Sequence, residues 1–134
     1  SPGLKHKQWP HYKDLIKLLK KFFGDKYSIA IAPGPGEIIM SREYNVITIL
    51  NKDKPINLID LIGLINGATY IISNDTGPAH IASHLKKTGL ALFGSHTSAE
   101  KVSIENENFK CIQRKKLKDL PVADVFEKIQ ENLN

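Results

Sequence analysis

Tyr70-Ile71-Ile72-Ser73-Asn74-Asp75-Thr76-Gly77-Pro78-Ala79-His80-Ile81-Ala82 is the stretch whose reading decides the fold. A short apolar run stops at a polar turn, and the chain restarts on Gly77-Pro78 as a helix. Proline suits the first helical position because its missing N–H would have had no intrahelical partner there, so Pro78 marks the helix start with Gly77 as N-cap. The unit reads as strand, tight turn, helix. The first turn of a helix gathers unpaired N–H donors at the positive end of its dipole, which makes the Thr76-Gly77 corner a seat for phosphate, flanked by Asp75 and His80. The same residues serve turn chemistry alone in many α/β proteins, so this stretch by itself leaves both readings open.

Working outward, the neighbouring segments repeat the alternation of strand and helix. Residues 89–93 form a second short apolar run, closed by the polar loop Gly94-Ser95-His96-Thr97-Ser98. Residues 109–113 read as a last strand, and residues 121–133 as a terminal helix with Val122, Val125, Phe126, Ile129 and Leu133 on one face. Upstream, residues 9–23 carry Tyr12, Leu15, Ile16, Leu19, Phe22 and Phe23 at helical spacing, with Lys13, Lys17, Lys20 and Lys21 between them and Gly24 as the stop. That face packs on a sheet or, as a basic amphipathic helix, lies on an anionic membrane; the packed reading is preferred. Residues 27–33 read as a buried strand feeding Gly34-Pro35-Gly36-Glu37, with Glu37 turned into the cleft, and residues 46–50 as the next strand, rich in β-branched residues. Ile39 stands where a dinucleotide fingerprint needs its third glycine. Asn57, with Asp60 three residues later, predicts a capped helix to about residue 68. The helix after Pro78 is expected to reach about residue 87, and the strand over 70–73 to be central. The fold class is therefore α/β: a Rossmann-like, doubly wound parallel sheet with helices on both faces.

Composition sets the bounds. At 134 residues the chain is one domain long, too short for two complete nucleotide-binding halves. No apolar run approaches the roughly 20 residues that span a bilayer, no secretory signal is evident, and a lone cysteine, Cys111, fits a reducing compartment; a cytoplasmic protein is expected. Its net charge of +5 suits nucleic acid, an anionic membrane or phosphate-bearing small molecules. Few aromatics are free to make a stacking platform, which argues against nucleic acid. Ser1-Pro2-Gly3 is a loop sequence with no strand ahead of it, where a doubly wound domain would place its first strand.

The string Asp75-Thr76-Gly77-Pro78-Ala79-His80-Ile81-Ala82, followed by Gly89-Leu90-Ala91-Leu92-Phe93-Gly94 and preceded by Pro2-Gly3 and Lys7-Gln8-Trp9-Pro10, resembles the ADP-heptose:lipopolysaccharide heptosyltransferase family over nearly the whole chain. The resemblance implies the C-terminal, donor-nucleotide half of a GT-B glycosyltransferase, an enzyme moving heptose from ADP-heptose to the lipopolysaccharide inner core. Residues 1–134 would be one nucleotide-sugar-binding domain lacking its first strand and the N-terminal acceptor domain. The implied chemistry is inverting and metal-independent, without cofactor. The general base and acceptor site belong to the absent half, so the isolated fragment would bind without turning over. Lys7 is implied at the donor phosphates, stabilising the leaving group, and Asp75 at the heptose hydroxyls. Thr76, Gly77 and His80 are implied at the diphosphate, Glu37 at the ribose and Ile56 at the adenine. His96 departs from the Pro or Thr common in its loop. The implied location is the cytoplasm, with peripheral contact at the inner face of the inner membrane.

The residues alone support much of this site. Ligands of doubly wound sheets lie beyond the carboxyl ends of the strands, the edge to which Lys7, Glu37, Asp75, Thr76, His80, His96 and Thr97 belong. Lysine meets phosphate as a point charge, and carboxylates accept hydrogen bonds from sugar hydroxyls. His80 and His84, four apart on one helix, carry the spacing of two metal ligands, but no Glu follows His80 and a third ligand would have to come from Asp75 or His96. Cys111 reads as packing within a strand. The alternative functions are a stand-alone nucleotide or nucleotide-sugar binding module and an interaction domain that keeps only the fold.

Overall fold

A computed structural model describes residues 8–74, 77–94 and 103–133. In chain order the elements are α1 (Tyr12–Phe23), β1 (Ala30–Ile31), α2 (Ile38–Ser41) continued by a 3-10 turn (Arg42–Tyr44), β2 (Ile47–Thr48), α3 (Leu58–Gly67), β3 (Ile71–Asn74), α4 (Gly77–His84), β4 (Gly89–Phe93), β5 (Phe109–Gln113), a second 3-10 turn (Leu117–Asp119) and α5 (Val122–Gln130). All three strand pairings are parallel. β1 pairs with β2, and β3, β4 and β5 pair in that order, giving two separate ladders among the described residues.

Alternation along β4 builds the core. All five of its residues are buried. Leu90 and Leu92 face a cluster with Trp9, Leu15, Leu19, Ile112, Leu120, Val125 and Ile129, so α1 and α5 cover that side. Ala91 and Phe93 face the opposite side, where Ile65 of α3, Ala79 and Ala82 of α4, Ile104 and Phe109 pack. Successive side chains of a strand point to opposite faces, so burial on both faces turns the run into an uninterrupted apolar stretch. This makes β4 the middle strand of its ladder among the described residues, with β3 and β5 on either side.

Gly89 is required by the approach of two backbones. A Cβ built there would lie 2.3 Å from the carbonyl oxygen of Ile71 and 2.9 Å from the ring of Phe109. At Gly24 the requirement is conformational instead: its φ of +57° ends α1, while its N–H bonds the carbonyl of Lys20 at 3.0 Å.

The expected helices form, with local corrections. α1 starts at Tyr12 and buries Leu15, Ile16 and Leu19, leaving Lys13, Lys17, Lys20 and Lys21 exposed, as a sheet-packed helix requires. Asn57 caps α3 by accepting a 2.8 Å bond from the N–H of Asp60. α4 opens at Gly77 itself, so Gly77 is the first helical residue rather than the cap, and Pro78 follows within the first turn. It closes at His84, short of residue 87, because Lys86 turns left-handed at φ 56°. Residues 38–44, which the sequence left unassigned, are helical. Their preceding Gly34-Pro35-Gly36 masks the change, since the apolar Ile38-Ile39-Met40 is too short to show a period.

Candidate functional site

The carboxyl ends of β1 and β3 meet the segment that leads into α1. Trp9 anchors that segment. Its indole Nε1 donates to the carbonyl of Leu120 at 3.0 Å, inside the core, and the residue is 2% exposed. Its ring meets those of His11 and Tyr12 edge-on, at centroid separations of 5.7 and 5.1 Å. His11 Nε2 reaches the carbonyl of Lys118 at 2.8 Å, a second tie to the turn before α5.

From this anchor the segment bonds two loops. The backbone N–H of Trp9 donates to Asn74 Oδ1 at 3.2 Å, at the last position of β3, and the Tyr12 hydroxyl donates to the same oxygen at 3.0 Å. Gln8 Nε2 faces Glu37 Oε2 at 3.4 Å, in the loop that follows β1. The other oxygen of Glu37 accepts from the N–H of Gly34 at 3.1 Å and closes the turn over residues 34–37. Gln8, Trp9, Tyr12, Glu37 and Asn74 thus form one polar junction at the strand ends.

The junction's electrostatics follow from burial beside a carboxylate. Burial, then Tyr44 and Glu37, push the Tyr12 phenol far above its ordinary value, so it stays protonated and donates. Tyr44 is raised too, by burial first and then by Glu37 and Glu43.

Of the residues singled out in the sequence, Lys7, Asp75, Thr76, His96 and Thr97 lie outside the described residues. Glu37 is half-buried at the junction, in a loop at the predicted edge. Gly77 opens α4 and His80 is exposed on its first turn. Ile56 is half-buried just before the cap of α3 and takes no part in the junction's hydrogen bonds. His84 is an exposed helix residue, and no group of three His, Cys, Asp or Glu side chains among the described residues is placed to hold a metal ion. Cys111 is half-buried against the α3–α4 side of the core, and its N–H bonds Glu105 Oε2 at 3.0 Å. Asn74 escaped sequence reasoning: both donors it serves are more than sixty residues away, and only its place between an apolar strand and Asp75 hinted at a role.

Comparison with known proteins agrees with this architecture. No curated protein sequence matches the chain. Among solved structures, E. coli heptosyltransferase WaaC with ADP superposes with a TM-score of 0.78 at 23% identity, over 95% of this chain and 40% of its own. The same enzyme with ADP-2-deoxy-2-fluoro heptose gives 0.78 at 22%, covering 95% of this chain and 39% of its own. E. coli ADP-heptose lps heptosyltransferase II gives 0.75 at 22%, over 96% and 42%. The chain therefore spans about two-fifths of the length of these enzymes and shares the GT-B heptosyltransferase fold over that span. The sequence model of glycosyltransferase family 9 (heptosyltransferase) matches residues 2–130, nearly end to end, and the chain belongs to that family.

Proposed function

We propose that this chain is the donor-nucleotide half of a heptosyltransferase that moves heptose from ADP-heptose to the inner core of lipopolysaccharide, with inversion at the anomeric carbon and without a metal. The observation that carries the reading is the junction itself: Gln8–Glu37 and Trp9–Asn74 bring three loops to the carboxyl edge of the strands, where doubly wound sheets take nucleotides. Gly77 supplies a helix N-terminus at that edge, suited to a diphosphate, with Thr76 before it and His80 one turn on. Lys7 opposes the charge that develops as ADP leaves, and Asp75 orients the sugar hydroxyls. Glu37 takes the ribose; its 3.4 Å bond to Gln8 is long enough to be exchanged for a hydroxyl. Ile56 packs on the adenine. The acceptor site and general base lie on the other half of the enzyme, which works in the cytoplasm beside the inner membrane. Among the described residues no helix is long and apolar enough to cross it.

The two ladders support a strand between them. Ile47 N–H bonds the carbonyl of Ile29 at 3.1 Å and Ile49 N–H that of Ile31 at 2.8 Å, so the main chain of Ala30 faces away from β2. Ile71 N–H bonds the carbonyl of Thr88 at 3.1 Å, so that of Ile72 faces away from β4. A parallel strand ahead of the Pro2-Gly3 loop would join the ladders into one six-stranded sheet in the doubly wound order.

The test is calorimetry of the full-length protein with ADP, with and without EDTA, and transfer from ADP-heptose to a heptose-free core acceptor, with the product anomer read by NMR. ADP binding indifferent to EDTA and an inverted product are expected. Absent ADP binding, or binding that EDTA abolishes, overturns the reading.

A further inference from the structure

We infer that Asn74 is a positioning residue that sets the distance between the segment entering α1 and the end of β3. The inference rests on the donor-site reading above. One carboxamide oxygen accepts both the Trp9 N–H at 3.2 Å and the Tyr12 hydroxyl at 3.0 Å. A backbone N–H can only donate, which fixes the oxygen of Asn74 toward Trp9. The phenol of Tyr12, held protonated, donates to the same atom.

Both sides of this contact are tied into regular structure. Asn74 ends β3, whose residues are in register with β4 from Ile71↔Gly89 to Asn74↔Leu92. Trp9 is held from behind by Leu120 and Tyr12 belongs to α1. Asn74 therefore joins these two sides, with Lys7 two residues in sequence from one bond and Asp75 one residue from the other. A reacting geometry displaced by about 1 Å loses on the order of a hundredfold in rate, so a single carboxamide at this joint controls turnover without touching the donor.

The variants are Asn74→Ala, Asn74→Asp and Tyr12→Phe in the full-length protein. Asn74→Ala removes the acceptor, and kcat is expected to fall by roughly ten- to a hundredfold. Asn74→Asp keeps an acceptor, so kcat stays within a few-fold, while its charge beside the diphosphate raises the KM for the nucleotide sugar. Tyr12→Phe removes one of the two bonds and gives an intermediate kcat. Amide exchange at Trp9 supplies a readout independent of transfer: it accelerates in Asn74→Ala and stays slow in Asn74→Asp. Unchanged exchange and kcat in Asn74→Ala overturn the proposal, as do equal losses of kcat and melting temperature in all three variants. The expected exchange pattern in a protein that transfers no heptose leaves the joint standing and overturns the donor-site reading.

Discussion

Gly89→Ala is the sharpest test of the sheet that carries the site. The added Cβ would lie 2.3 Å from the carbonyl oxygen of Ile71, 3.1 Å from its carbon and 2.9 Å from the ring of Phe109. An ordinary contact begins near 3.4 Å. β3 and β4 must therefore part by about 1 Å at this point, in a ladder whose normal spacing is about 4.8 Å. The ring of Phe109 cannot absorb the strain, because it is fully buried among Ile65, Ala79, Phe93 and Ile104. Overpacking of this kind costs about 1–3 kcal/mol, and loosening the Ile71 N–H to Thr88 bond adds about 1 kcal/mol. The sum of roughly 2–4 kcal/mol is a large part of a domain's usual 5–15 kcal/mol. At about 3 °C per kcal/mol, the melting temperature of this domain should fall by roughly 6–12 °C. Thermal melts and urea titrations followed by circular dichroism, with Gly67→Ala as control, measure the two quantities; nothing lies within 4 Å of a Cβ at Gly67. A Gly89→Ala loss within 0.5 kcal/mol of the control would refute the close-approach argument.

Three further outcomes are expected of the full-length protein. Lys7→Ala should lower kcat by roughly thirty- to several hundredfold, equivalent to about 2–4 kcal/mol of barrier, and move stability by no more than about 0.5 kcal/mol; steady-state kinetics and thermal melts check both. Asp75→Ala should cut transfer sharply while calorimetric ADP affinity changes little, and equal loss of binding and stability would make Asp75 a turn residue. Stability should fall as pH rises above about 10. Tyr12, Tyr44 and Tyr70 ionise near 10.0 when unfolded but are held protonated in the fold, so the unfolded state loses protons first; Tyr12→Phe should flatten that slope in alkaline urea titrations.

Local chemistry made much of the fold legible. The bounds of β4 follow from an apolar run ended by Gly94, and α3 from its Asn57 cap. What the sequence hid was non-local. β1 and β2 shrink to two residues each because ladder partners, rather than β-branched composition, decide where pairing ends. At the site, Glu37 could be placed on its edge from a glycine-rich loop, but the bond that closes its own turn was not visible. Asn74 was invisible as a joint for the same reason, its partners being Trp9 and Tyr12.

Trp9 is the chain's single tryptophan, and it stands where the entry to α1, the end of β3 and the approach to α5 converge. Within these 134 residues, emission excited at the indole therefore reports on that crossing, without a label or an engineered probe. An indole sealed in the core with its N–H bound to a carbonyl emits to the blue of one in water. Nucleotide titrations and stopped-flow traces can then be read as events at a known address, and a red shift on mixing would date the moment when the crossing opens.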